Sequence, residues 1–283
     1  MYNIKLKGGR KMSLSIETIK NRVSVRTFDK SAVSESVINK IKDYINQVDN
    51  PFNVPIEFQI LDAKKYGLSS PVIIGADTYV AAKYKKVPMS EIAFGYAFEK
   101  FILFSTSLGL GTVWLAATID RKAFEKAIEL KEDEVMPAVS PIGYAAEKRS
   151  IRENLMRKGL KSDDRLSFEK LFFKGDFQNA LKESEAGRLL LPLQMLRLSP
   201  SATNKQPWRV VVDGNMVHFY EEKTKGYAKE NTGDIQKVDL GIAICHFEIA
   251  ANEQGLKGSI IRNDPGITAP NNAEYIATYK LED

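Results

Sequence analysis

"GYAFEKFILFSTSLGL" (Gly95–Leu110) lies on "GIAICHFEIAANEQGL" (Gly241–Leu256) at a constant offset of 146 residues. Five of the sixteen pairs are identical: Gly95/Gly241, Ala97/Ala243, Phe101/Phe247, Gly109/Gly255 and Leu110/Leu256. In the first copy Phe94, Phe98, Phe101, Ile102 and Ser105 recur at helical spacing, and Gly109 ends the run. Repetition at a fixed offset organises the chain as two related halves, expected over 1–150 and 151–283.

Other segments repeat in the same order. "DNPFNVPIEFQILDA" (Asp49–Ala63) lies on "PSATNKQPWRVVVDG" (Pro200–Gly214) at an offset of 151, pairing Asn53 with Asn204 and Asp62 with Asp213. Each reads as a loop feeding a strand. "RVSVR" (Arg22–Arg26) pairs with "RLSFE" (Arg165–Glu169), which sets Glu169 opposite Arg26. Between these lie an expected helix carrying Val33, Val37, Ile38, Ile41 and Ile45, and strands at "PIEFQILDA", "PVIIGA" (Pro71–Ala76), "TVWLAAT" (Thr112–Thr118) and "AVSPIGYA". A charged helix is expected over Arg121–Glu129.

Composition narrows the function. At 283 residues, with 43% hydrophobic and 27% charged side chains, the chain has ample material for a core. Its net charge of +5 favours anionic ligands, but the basic residues are scattered, which argues against nucleic acid. Cys245 is the single cysteine, so no disulfide forms within the chain; its apolar setting reads as core. His218 and His246 are too ill-spaced for a metal cluster and read as surface or core packing. "MYNIKLKGGRKM" lacks the apolar run of a signal peptide. The uncharged run Phe101–Ile119 contains Gly109 and Gly111, and reads as a helix followed by a strand rather than a membrane span. A cytoplasmic location is expected.

Two motifs carry chemistry. Arg22, Ser24 and Arg26 offer several donors at the end of a short helix, a receptor for a phosphate monoester; an ordinary solvated face is the competing reading. In "LSPSATNKQPWR" (Leu198–Arg209), Pro200 disfavours helix at Ser199, while Ser201, Thr203 and Asn204 crowd donors and acceptors into a tight turn. The counterpart loop around Asn53 has no comparable serine-rich run.

Together "RVSVRTF", "SPSATNKQPWRVVV" and "FSTSLGLGTVWLAATID" followed by "SPIGYAAEKR" resemble, in kind and order, the motifs of the nitroreductase-like flavin enzymes. The resemblance spans Arg22 to about Gly258. It implies an α+β fold with antiparallel-type central sheets flanked by helices, and a flavin site built from two subunits, here fused into an intramolecular pseudo-dimer that needs no partner subunit. It implies that Arg22 and Ser24 hold the FMN phosphate and that Arg26 lies near the N1/O2 edge of the flavin. Ser199, Pro200, Ser201 and Asn204 would reach the ring from the other half, and Ala116, Ala117 and Thr118 would lie beside N5. Lys148 and Arg149, or Arg152, would supply a second basic contact to phosphate. No protein residue is implied as the catalytic group, because the flavin carries the chemistry. The implied activity is ping-pong transfer from NADH or NADPH to small-molecule acceptors such as nitroaromatics or quinones. A second site would have to combine Glu169 with "VDNPFN", which lacks the serine-rich loop, so one FMN per chain is expected. Specificity is expected in "YVAAKYKKVPM" (Tyr79–Met89) and "YEEKTKGYAKENTGD" (Tyr220–Asp234). Two alternatives stand beside it: a flavin-binding or regulatory module without turnover, and a non-redox phosphate-ligand binding protein.

Overall fold

Two long helices, both buried along most of their length, pack on each other at the centre of the computed structural model. The structure describes residues 14–159, 161 and 164–282, without the side chains of Arg152 and Arg157. The stretch expected to lack a signal sequence, residues 1–12, lies outside them.

The first half runs α1 (Ile16–Asn21), α2 (Glu35–Ile45), β1 (Glu57–Asp62), α3 (Ala63–Tyr66), β2 (Thr78–Lys85), α4 (Ser90–Ser107), β3 (Gly111–Thr112), α5 (Arg121–Ala127), β4 (Glu134–Val135) and β5 (Val139–Gly143). After α6 (Ile151–Gly159) come α7 (Phe168–Leu171), β6 (Phe172–Lys174), α8 (Leu190–Arg197), β7 (Trp208–Asp213) and β8 (Met216–Glu222). The hairpin β9 (Ala228–Lys229) and β10 (Gly233–Asp234) leads to α9 (Ile235–Glu253), β11 (Gly258–Ile261) and β12 (Ala273–Leu281).

The halves share one topology. The antiparallel order β1-β2-β5-β3 is repeated as β7-β8-β12-β11, with β6 added parallel to the outer edge of β7. Strands β1 and β7 occupy positions 57–62 and 208–213, the same register at the expected offset of 151. Asn53 and Asn204, the paired loop residues, both adopt left-handed backbone, with φ of 54° and 57°.

Helices α4 and α9 are apolar on nearly every face because each lies between its own sheet and the other helix. Both end in the same motif. Gly109 and Gly255 take φ of 78° and 76°, the Leu110 N–H donates to Ser105 O at 3.0 Å, and the Leu256 N–H donates to Ala251 O at 2.9 Å. The uncharged run after Phe101 therefore breaks at Gly109 as expected. Among the described residues no helix is long and apolar enough to cross a membrane.

Four local expectations change. "PVIIGA" forms no strand, only a single bridge from Ile74 to Thr27. "TVWLAAT" leaves the ladder after Thr112, touching β5 once more at Leu115. The Arg121 guanidinium takes up the Ala116, Met136 and Pro137 carbonyls at 2.7, 2.7 and 3.2 Å, which turns the chain away from the sheet. Tyr79–Tyr84, expected as specificity surface, is buried in the central strand β2, and it tolerates Lys83 inside because Glu134 meets the ammonium at 2.8 Å.

The fourth change concerns "RLSFE". Ser15 is the N-cap of α1 and Ser167 the N-cap of α7, an offset of 152, so the segment equivalent to Arg22–Arg26 is Lys174–Gln178, "KGDFQ". Glu169 sits exposed in the first turn of α7 and is not the counterpart of Arg26.

Cys245 and His246 are core residues, and His218 Nδ1 bonds Thr278 Oγ1 at 2.7 Å between strands. No cluster of metal-ligating side chains occurs among the described residues.

Candidate active site

A cavity of about 410 Å³ opens where the two halves meet. Its first wall begins at α1, which Ser15 caps through the Thr18 N–H at 3.2 Å and which ends as the Arg22 N–H bonds Thr18 O at 3.0 Å. The chain then extends, held by the Val25 N–H donating to Thr112 O at 2.9 Å. In extended backbone, alternate residues share a face. Arg22, Ser24 and Arg26 line the cavity together with Val23, while Val25 packs onto Gly111, where an added Cβ would lie 2.9 Å from the valine side chain.

The second wall is Val113–Thr118, fixed from behind. Trp114 Nε1–H donates to Glu99 at 2.8 Å, Ala116 O accepts from Arg121, and Thr118 O accepts from Ser70 Oγ at 2.6 Å.

The other half contributes Leu198, Pro200–Asn204 and one stripe of α9: Ile235, Val238, Asp239 and Ile242. The loop is tightly drawn. Thr203, Asn204 and Gln206 all have positive φ, at 48°, 57° and 52°, a conformation that costs non-glycine residues free energy unless the surroundings fix it. Here Ser201 Oγ accepts from the Gln206 N–H at 2.8 Å, and both Asp239 carboxyl oxygens accept from the Ala202 N–H at 3.1 Å. Thr203 Oγ1 pairs with the Tyr227 hydroxyl.

The residues named from sequence therefore divide. Arg22, Ser24, Arg26, Ala116, Ala117, Thr118, Pro200, Ser201 and Asn204 are gathered around one cavity. Asn204 also spends its amide on the Lys161 and Asp164 carbonyls, at 2.7 and 3.0 Å. Ser199 is fully buried beneath the loop, and its hydroxyl finds no partner among the described residues. Lys148 and Arg149 are exposed and do not line the cavity; Arg149 pairs with Glu153 at 3.7 Å. The Arg152 side chain lies outside the described residues.

Arg165 lines the cavity in their place, with Nη2 donating to Leu198 O at 3.2 Å. The sequence signal was present in "RLSFE" but attached to the wrong copy. Helix α6 seats Glu153 on the Arg26 N–H at 3.3 Å and on Thr27 Oγ1 at 2.9 Å, and brings Met156 to the cavity. Asp239 was also missed; its spacing with Ile235, Val238 and Ile242 is the signal, a carboxyl on an otherwise apolar stripe. Burial holds the Asp239 carboxyl well above the usual carboxylate range, against the Ala202 N–H, with Asp234 and Glu221 adding to the rise.

The fold and this cavity define a two-half α+β chain with one anion-receptive cleft between its halves. The family model described as "Putative TM nitroreductase" matches residues 15–251, and the chain belongs to the nitroreductase family, a family of oxidoreductases. A putative nitroreductase from Thermotoga maritima MSB8 is similar over 98% of this chain and 98% of its own, at 22% identity and a TM-score of 0.62, which shows the same fold end to end. A putative NADH dehydrogenase/NAD(P)H nitroreductase from Parabacteroides distasonis ATCC 8503 covers 49% of this chain and 91% of its own, at 22% identity and a TM-score of 0.42. A nitroreductase with bound FMN from Bacteroides fragilis NCTC 9343 covers 48% of this chain and 90% of its own, at 20% identity and a TM-score of 0.39. No curated protein matches the chain.

Proposed function

We propose that the chain is an FMN-dependent oxidoreductase that takes electrons from NADH or NADPH and passes them to small acceptors such as nitroaromatics or quinones. The single observation carrying this reading is the convergence of Arg22, Ser24, Arg26 and Arg165 with Trp114–Thr118 and Pro200–Asn204 on one cavity. The donor set fits the cofactor. Guanidinium and hydroxyl groups suit a phosphate monoester, and the Ile235, Val238 and Ile242 stripe suits a planar ring. When bound, FMN supplies the two-electron redox chemistry. Arg22, Ser24 and Arg165 bind and orient the phosphate, and Arg26 places positive charge where the reduced cofactor is anionic. Val113–Thr118, anchored from behind, and the strained Pro200–Asn204 loop hold the ring from opposite halves without rearranging.

One FMN per chain follows from the asymmetry of the halves. The hollow beside the counterpart loop is lined by residues of the segment 45–58 alone, with nothing from the second half. The equivalent of "RVSVR" is "KGDFQ", which puts Asp176 opposite Ser24 and leaves one basic residue, Lys174. We take the fused chain to act as a monomer and the 1–150 and 151–283 halves as its two units.

The test is the visible spectrum and flavin-to-protein ratio of the purified chain, with NADH or NADPH oxidation in the presence of menadione or a nitrofuran. One FMN per chain with turnover is expected. A colourless protein that takes up no added FMN overturns the reading, and bound FMN without turnover reduces it to a flavin-binding module.

A further inference from the structure

Behind the cavity, Glu99 is fully buried and joins three elements. Its Oε2 accepts from Trp114 Nε1–H at 2.8 Å. Its Oε1 lies 2.9 Å from His246 Nε2 on α9 and 3.8 Å from Arg22 Nε. His246 is also fully buried, and its Nδ1 lies 3.2 Å from the Met195 carbonyl oxygen on α8. The other buried charged groups on the packed helices have partners of their own: Lys100 meets Asp49 at 2.6 Å, Glu248 accepts from the Tyr96 hydroxyl, and Asp239 accepts from the Ala202 N–H at 3.1 Å.

The hydrogen-bond inventory constrains the protons. Glu99 accepts from the indole N–H and has the Arg22 guanidinium beside it at 3.8 Å, surroundings that suit a carboxylate. The histidine ring then faces an acceptor at each nitrogen, because a carbonyl oxygen and a carboxylate can only accept. A neutral imidazole has a proton for one of them; an imidazolium satisfies both.

We propose that Glu99 and His246 form a buried carboxylate–imidazolium pair across the two halves, and that it positions Arg22 and Trp114 while leaving the charge of Arg22 undiminished toward the cavity. Glu99 alone would hold Arg22 in place and cancel it. The His246 charge offsets Glu99, so the trio of Arg22, Glu99 and His246 presents a net positive charge behind the phosphate end. The device exists once in the chain. At the offset of 146 the equivalents of Glu99, His246 and Trp114 are Cys245, Lys100 and Ile260, so the second half holds no such network. Both residues are positioning residues, since neither lines the cavity.

The role toward the cofactor rests on the flavin reading; the ion pair does not, and two measurements separate them. First, the whole chain labelled with ¹⁵N-histidine has two histidines to resolve, and a His218→Gln chain assigns them. Because one ring nitrogen faces the Glu99 carboxylate and the other the Met195 carbonyl, His246 is expected to show protons on both ring nitrogens. A proton-free nitrogen on His246 overturns the pair. Second, FMN titration of His246→Gln is expected to give a Kd weaker by about tenfold, because an uncompensated Glu99 now opposes Arg22. Glu99→Gln keeps an amide oxygen to accept from the Trp114 N–H, so combined with His246→Gln it removes both charges without removing that anchor and is expected to return Kd to within about threefold of the unsubstituted chain. Losses that add in the double variant overturn the electrostatic role. If the unsubstituted chain binds no FMN, the flavin reading fails while the nitrogen spectrum still decides the ion pair.

Discussion

Gly95 and Gly241 each press against the backbone of the opposite central helix. A Cβ on Gly95 would lie 2.0 Å from the Val238 carbonyl oxygen, and one on Gly241 would lie 2.1 Å from that of Ile92. Ile92 and Val238 are themselves 146 residues apart, as are the glycines. The contact is therefore isologous: each half offers the same patch to the other, as in a two-fold dimer, but within one chain. Gly95→Ala and Gly241→Ala should each force the helices apart and destabilise the chain by about 3 kcal/mol or more. Denaturant unfolding measures this, and a loss below about 1 kcal/mol for either substitution would mean that the crossing is looser than the contact implies.

Charge reversal at the cavity separates the arginines that matter. Arg26 is buried at 9% exposure with Glu153 against its backbone. Arg26→Glu sets a second carboxylate there and should weaken FMN binding by roughly a hundredfold. Arg165→Ala should weaken it by about tenfold, whereas Lys148→Ala and Arg149→Ala, on exposed side chains, should change it by less than about twofold. Equilibrium FMN titration ranks the four. A larger loss at Lys148 or Arg149 than at Arg165 would return the second basic contact to the positions expected from sequence.

Asp239 should matter for its acceptor oxygens more than for its charge. Asp239→Asn keeps an acceptor for the Ala202 N–H, but Asp239→Ala leaves that donor unpaired under a loop with three positive-φ residues, at a cost of about 1–3 kcal/mol. FMN affinity should therefore survive in the asparagine variant and fall in the alanine one. Equal loss in both would point to the carboxyl itself.

Glu221 predicts a pH dependence of stability. It is fully buried on β8, with neither carboxyl oxygen hydrogen-bonded among the described residues, and burial, aided by Asp234, pushes it up to about 8 from 4.5. The folded state holds this proton after the unfolded chain has released it, so the contribution is fully present below about pH 4.5 and is lost as pH rises toward about 8. Glu221→Gln should remove this decline, stabilising the chain by a few kcal/mol at about pH 8 and much less at about pH 5. Thermal unfolding of both chains across that range checks the sign; a larger gain at the acid end would contradict it.

Much of the fold was legible because a duplicated chain repeats its own constraints. The offsets of 146 and 151 fixed the paired helices and the paired loop-to-strand units, since glycine C-caps and apolar periodicity are local properties of the backbone. Arg22, Ser24 and Arg26 were equally readable, because three donors within five residues at a helix end need no distant partner to come together. What failed depended on distant partners. "TVWLAAT" has strand composition, but Arg121 draws its carbonyls away from the sheet. Tyr79–Tyr84 looked like mixed surface until Glu134 accounted for a lysine in the interior.

By itself, the sequence determined that the chain is two copies of one α+β unit and that one copy carries the basic motif and the other the serine-rich loop. Only the tertiary structure decided which groups meet. Arg165 lines the first site rather than standing as the second half's Arg22, Lys148 and Arg149 turn to solvent, and Asp239 and the Glu99–His246 pair enter from helix faces that periodicity marks as core. The reason is physical: helix and strand periods follow from bonds between near neighbours, whereas the pairing of buried charges depends on which segments the two halves bring within a few ångströms.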